Sequence, residues 1–168
     1  PDMEKTGAVV NGDPPLSDTS TSADEQSADI EIVVSRFKED ITPLLELLCD
    51  PSSFTNQAFI VTVYNKGGDN LHDELANACS KKERQISHGT VDKSSVNRFK
   101  NLIQNTKKFS VESLENLGRE ADTYLYHLIH NYDRLAKVTV FLPASCMNEL
   151  KIEHTRQLIT RVSRTNNS

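Results

Sequence analysis

Three short apolar segments constrain this chain most: residues 30–35 (IEIVVS), 58–64 (AFIVTVY) and 137–142 (KVTVFL). Each is too short for a buried helix, is rich in β-branched and aromatic side chains, and ends in polar or turn residues, so each reads as a buried strand. The stretches between them have helical spacing. Buried strands separated by helices pair through crossovers, which implies a parallel sheet. The expected fold class is α/β: a small, mostly parallel sheet of about three strands flanked by helices, Rossmann-like in kind.

The helices are marked by local chemistry. Thr42-Pro43 supplies a cap and a first turn for Leu44, Leu45, Leu47 and Leu48, and Asp50-Pro51 ends that helix. The turn residues 65–70 (NKGGDN) close the second strand. A helix over 72–84 sets Leu71, Leu75 and Cys79 on one side, residues 85–93 read as a loop, and Val96, Phe99, Leu102 and Ile103 mark another amphipathic helix. Residues 109–117 are ambiguous between a strand-like linker and a helical turn. The clearest helix covers 119–135. There Ala121, Leu125, Leu128, Ile129 and Tyr132 share one face, with Glu120, Tyr124, His127 and Asn131 as a flanking polar stripe. Arg119, Thr123, Tyr126 and His130 lie opposite. A last helix runs over about 147–162 with Leu150, His154, Leu158 and Ile159.

Charge is unevenly distributed. Of the 168 residues, 1–29 hold seven acids and one base and almost no large apolar side chains, so this acidic Ser/Thr-rich tail is expected to be disordered. The remainder holds 17 acids and 18 bases and is nearly neutral. Residues 30–162 are expected to form one α/β domain, with 163–168 frayed. A near-neutral domain without tryptophan lacks the basic face and stacking platform of a nucleic-acid binder. Cys49, Cys79 and Cys146 are far apart and show no metal-ligand spacing, and no apolar run approaches a membrane span.

The candidate site lies where the clearest helix begins. Gly118 lets another group approach the backbone, and Arg119 with the first free N–H groups of the helix would attract an anion. The plainer readings are a first-turn Arg119–Glu120 ion pair and a structurally bonded His127.

The ordered motifs Ile32-Val-Val-Ser-Arg-Phe-Lys-Glu-Asp40, Val61-Thr-Val-Tyr-Asn-Lys-Gly67, Asn116-Leu-Gly-Arg-Glu-Ala-Asp-Thr-Tyr-Leu125, Asn131-Tyr-Asp133 and Val138-Thr-Val-Phe-Leu142 resemble a largely fungal family of uncharacterised domains. The resemblance covers residues 30–142 except 69–110, which looks divergent or inserted. That family is distantly similar to nucleotide-sugar glycosyltransferases of the single Rossmann-like (glycosyltransferase-A-like) type. The resemblance implies sugar-nucleotide binding and glycosyl transfer. Arg36, Glu39 and Asp40 would lie at the carboxyl end of the first strand, and Asn65 and Lys66 at the end of the second. Arg36, Asn65, Lys66, Gly118, Arg119, Thr123, Tyr124 and His127 would be ligand-binding, and Glu39, Asp40 and Glu120 the acid/base candidates. The usual Asp-x-Asp metal pair is missing, so Mn²⁺ or Mg²⁺ would bind only if the ligand completed its coordination. The alternative is a non-catalytic interaction or scaffold domain on the same fold.

Overall fold

The computed structural model describes residues 29–50, 59–146 and 149–165. The expectations for residues 1–28 and 166–168 lie outside them. The elements run β1 (Ile30–Arg36), α1 (Thr42–Cys49), β2 (Phe59–Asn65), α2 (Leu71–Ser87), α3 (Lys93–Gln104), β3 (Phe109–Ser113), α4 (Glu120–His130), β4 (Val138–Pro143) and α5 (Glu149–Thr165). Short 3₁₀ turns follow α4 at Tyr132–Arg134 and β4 at Ala144–Cys146.

The sheet is α/β and wholly parallel, in the order β3-β2-β1-β4. It has four strands rather than three. The ambiguous stretch supplies β3, whose Phe109 and Val111 pair in register with Val61 and Val63. Five residues give too little periodicity to separate a strand from a turn, and only pairing with β2 decides the matter.

Register sorts the side chains into two faces. Ile30, Ile32 and Val34 lie level with Phe59, Val61 and Val63, and Val138, Val140 and Leu142 continue the row across β4. This face forms the apolar core with Leu44, Leu45, Leu47 and Leu48 of α1, Leu71 and Leu75 of α2, Phe99 and Leu102 of α3, and Ile159 of α5. Local chemistry fixes the helix starts: Asn70 accepts from the Asp73 N–H and Asp92 from the Ser95 N–H.

The opposite face carries Glu31, Val33 and Ser35 of β1 beside Thr62 and Tyr64 of β2, all of them buried. α4 packs here against β1, and it does so with its polar side. Thr123 and His127 are buried, whereas Leu125 is 59 % and Ile129 72 % exposed. The amphipathic face of this helix therefore points away from the sheet. The cause is the sheet itself: buried Glu31, Ser35, Thr62 and Tyr64 require hydrogen-bond partners, and a leucine stripe supplies none.

Candidate functional site

The carboxyl ends of β1 and β2 lie side by side, and the chain just beyond them comes into close contact. Gly67 is the residue that permits it, because a Cβ there would fall 1.6 Å from the Phe37 carbonyl oxygen. The Lys66 N–H donates to the Arg36 carbonyl at 2.8 Å across the same gap. Arg36, the last residue of β1, has a fully buried side chain. Its guanidinium donates from Nε to the Glu39 carbonyl at 2.7 Å, from Nη1 to Asn65 at 2.8 Å and Asp69 at 2.7 Å, and from Nη2 to Asp69 at 3.1 Å and Glu74 at 2.7 Å. Burial alone would lower the pKa of Arg36, but the hydrogen bonds and charges of Asp69 and Glu74 outweigh it and raise it. In return Asp69, bonded first to Arg36 and then to Asn65, is held well below the usual carboxylate range. This is a brace between β1, β2 and α2, and its bidentate geometry is spent inside the chain.

Lys66 is likewise engaged. Its Nζ donates to the carbonyls of Leu117 at 2.6 Å, Gly118 at 3.2 Å and Arg119 at 3.5 Å. It thereby pins the β3–α4 loop to the rim of the sheet. Gly118 has φ +62°, with the Asp122 side chain 2.7 Å from where a Cβ would sit. That conformation favours glycine twice, by dihedral and by space. Arg119, the N-cap residue of α4, makes no side-chain capping bond and is exposed.

The acid candidates are placed in turns. One Glu39 carboxylate oxygen accepts from the N–H groups of Phe37 at 2.7 Å and Lys38 at 3.1 Å. Asp40 accepts from the Thr42 N–H at 2.8 Å, where α1 starts. Glu120 is exposed on the first turn of α4, with Asp122 two positions further along the same turn.

A second group gathers under α4, and it contains residues that were not among the candidates: Glu31, Ser35, Thr62 and Tyr64. Ser35 donates to Thr123 at 3.1 Å, and Thr62 donates to Glu31 at 2.9 Å. His127 Nδ1 lies 3.0 Å from the Tyr64 hydroxyl and 3.3 Å from the Asn131 amide nitrogen, a donor. That pairing assigns Nδ1 as acceptor and leaves the proton on Nε2. Nε2 faces a Glu31 carboxylate oxygen at 3.3 Å without the alignment of a hydrogen bond. Burial, reinforced by the charge of Glu112, pushes the Tyr64 hydroxyl pKa well up. Tyr124 stacks at 4.9 Å on Phe141 beside this group. Period-two polar residues in β1 and β2 were the available signal for it.

The structure thus brings Arg36 and Asn65 together, ties Lys66 to Gly118 and Arg119, and sets Thr123 and His127 under α4. Glu39, Asp40 and Glu120 join neither group through any hydrogen bond of their side chains to the basic residues. Two clefts of about 330 and 320 Å³ open among α1, α2 and α3, and none of the candidate residues lines either. Among the described residues no three His, Cys, Asp or Glu side chains gather as a metal site. No helix among them is long and apolar enough to cross a membrane.

Residues 92–164 match the model of a family described as protein of unknown function (DUF3431). This span runs from the start of α3 into α5 and contains the β3–α4 loop, α4 and β4. It begins inside the stretch that the sequence resemblance passed over and leaves out the β1 and β2 motifs that carried it. The matched family is uncharacterised, and the match brings no glycosyltransferase similarity with it. No curated protein and no solved structure matches the chain.

Proposed function

We propose that this domain is a non-catalytic interaction module that docks a protein partner on the outer side of α4. One observation carries the reading. Leu117, Leu125, Ile129 and Tyr132 are 63, 59, 72 and 76 % exposed along a single helix and its flanks. Monomeric proteins rarely leave large apolar side chains clustered in this way without a partner. The state of the basic residues supports it. Arg36 and Lys66 direct their donors at the chain's own oxygens, so neither offers a diphosphate what it would need.

A second reading keeps the ligand class that the motifs imply, a nucleotide diphosphate sugar, with glycosyl transfer as the reaction. The observation in its favour is topological. The order β3-β2-β1-β4 reverses direction at β1, open α/β sheets bind ligands beyond the carboxyl ends at such a point, and α4 begins on that rim with Gly118 and Arg119. Arg119 and the first N–H groups of α4 would then hold the diphosphate, Glu120 would be the acid/base group at hand, and Mn²⁺ or Mg²⁺ would need ligand oxygens to complete its shell. Against it stand the carboxylates of Glu120 and Asp122, which repel an anion at the same helix start.

A thermal-shift series with nucleotide diphosphate sugars, with and without Mn²⁺, separates the two. A ligand at 100 times its Kd stabilises a fold by about 2.7 kcal/mol, which is visible in a domain of this size. The interaction reading expects no shift. A shift that disappears in Arg119→Ala would replace it with the nucleotide-sugar reading.

A further inference from the structure

We propose that the partner on α4 is a second copy of this chain, the two helices packing antiparallel about a two-fold axis at Leu125. The proposal rests on the interaction reading above and names its partner. Three features of the helix point to it.

The first is the spacing of the stripe. Ala121 lies four residues before Leu125 and Ile129 four after, while Leu117 and Tyr132 close the two ends. An antiparallel pairing centred on Leu125 sets the small Ala121 of one copy against the large Ile129 of the other, at both ends of the contact. A ridge then meets a groove, as close helix packing requires. A parallel pairing would put Ile129 against Ile129 and leave a gap between the two alanines.

The second is charge. At 100° per residue, Asp122 and His130 fall along one flank of the stripe, and both are exposed. A two-fold axis perpendicular to the helices keeps this flank facing itself with its direction reversed. Asp122 then stands across from His130, and the pair occurs twice. The same reversal opposes the two helix dipoles, which places each acidic first turn beside the partner's His-bearing last turn.

The third is area. The four exposed residues present roughly 500 Å² per copy, so covering them would remove roughly 1,000 Å² in all, about the least that a specific interface needs. An isologous contact of this kind closes on itself and goes no further than a dimer.

Sedimentation equilibrium of the full chain up to about 100 µM tests this, since a stable contact of this size should associate with a micromolar Kd. The expected result is a reversible monomer–dimer equilibrium that Leu125→Glu weakens at least tenfold. Leu125 makes little contact within the monomer, so circular dichroism should show the variant folded. Asp122→Lys should weaken association about threefold or more, and adding His130→Glu should restore it, because only the antiparallel pairing joins these two positions. A monomer throughout the concentration range overturns the proposal, as does a dimer indifferent to Leu125→Glu. An Asp122→Lys loss that His130→Glu leaves unrepaired overturns the antiparallel arrangement. The thermal-shift series keeps the two readings apart. A monomer that binds no sugar nucleotide sinks the second copy alone, whereas one that binds through Arg119 sinks the interaction reading too.

Discussion

The two faces of the sheet are built by opposite means from the same four strands. One is an unbroken apolar surface of Ile, Val and Phe against leucines of α1, α2 and α3. The other sets Glu31, Ser35, Thr62 and Tyr64 against Thr123 and His127 of a single helix. The first is held by area removed from water, which is non-directional and forgives small changes of shape. The second is held by pairing, in which each buried group depends on another being present. Phe99 should show the largest effect in this comparison. It is 1 % exposed at the centre of the apolar layer, and Phe99→Ala should cost about 4 kcal/mol by equilibrium urea unfolding. A loss below about 1 kcal/mol would mean that the apolar layer is not where the stability resides.

The polar face should fail in a different way. His127→Leu keeps an apolar volume under α4 but removes the Nε2–H that faces Glu31 and leaves the buried Tyr64 hydroxyl without its acceptor. The expected cost is about 2 kcal/mol, because the Tyr64 hydroxyl is left unpaired and the Glu31 carboxylate keeps only Thr62 as a donor. Glu31→Leu should be costly alone as well. The pair together should cost less than the sum of the two by at least about 1 kcal/mol, because the double variant strands no charge. Strict additivity in that cycle would show that Glu31 and His127 do not work as a unit, and the contrast between the faces would lose its basis.

This contrast also explains what could be read in advance. β1, β2 and β4, the α/β class and the approximate helix positions follow from local patterns. In the strand IEIVVS, Val33 lies on the polar face and bridges Glu31 and Ser35, so the alternation is masked and the segment passes for wholly apolar. Periodicity identified the residues of α4 that share a side, but it carries no sign. Whether the stripe of Leu125 and Ile129 turns in or out depends on the sheet beneath, which belongs to distant parts of the chain. The rim residues show the same limit. Arg36, Asn65 and Lys66 could be placed at strand ends from topology. Their engagement depends on Asp69 and Glu74, which the turn after β2 brings across, and on the missing Cβ of Gly67. β3 became legible only through its partner strand.

The smallest expected effect is also the sharpest, because its sign differs between the two kinds of face. Thr123 is fully buried, and its hydroxyl is bonded to Ser35 at 3.1 Å. Thr123→Val keeps the shape and removes only the hydroxyl. On an apolar face that change would be neutral or stabilising, since it adds a methyl and removes a buried polar group. Under α4 it should cost about 1 kcal/mol, because Ser35 is buried and loses its partner. Ser35→Ala in the same background should then recover much of that loss, for with both hydroxyls gone nothing is left unpaired. Denaturant unfolding of the three variants reads this directly. A stabilising Thr123→Val would mean that the hydrogen bonds under α4 are incidental, and that the helix sits polar side inward for some reason other than the demands of the sheet.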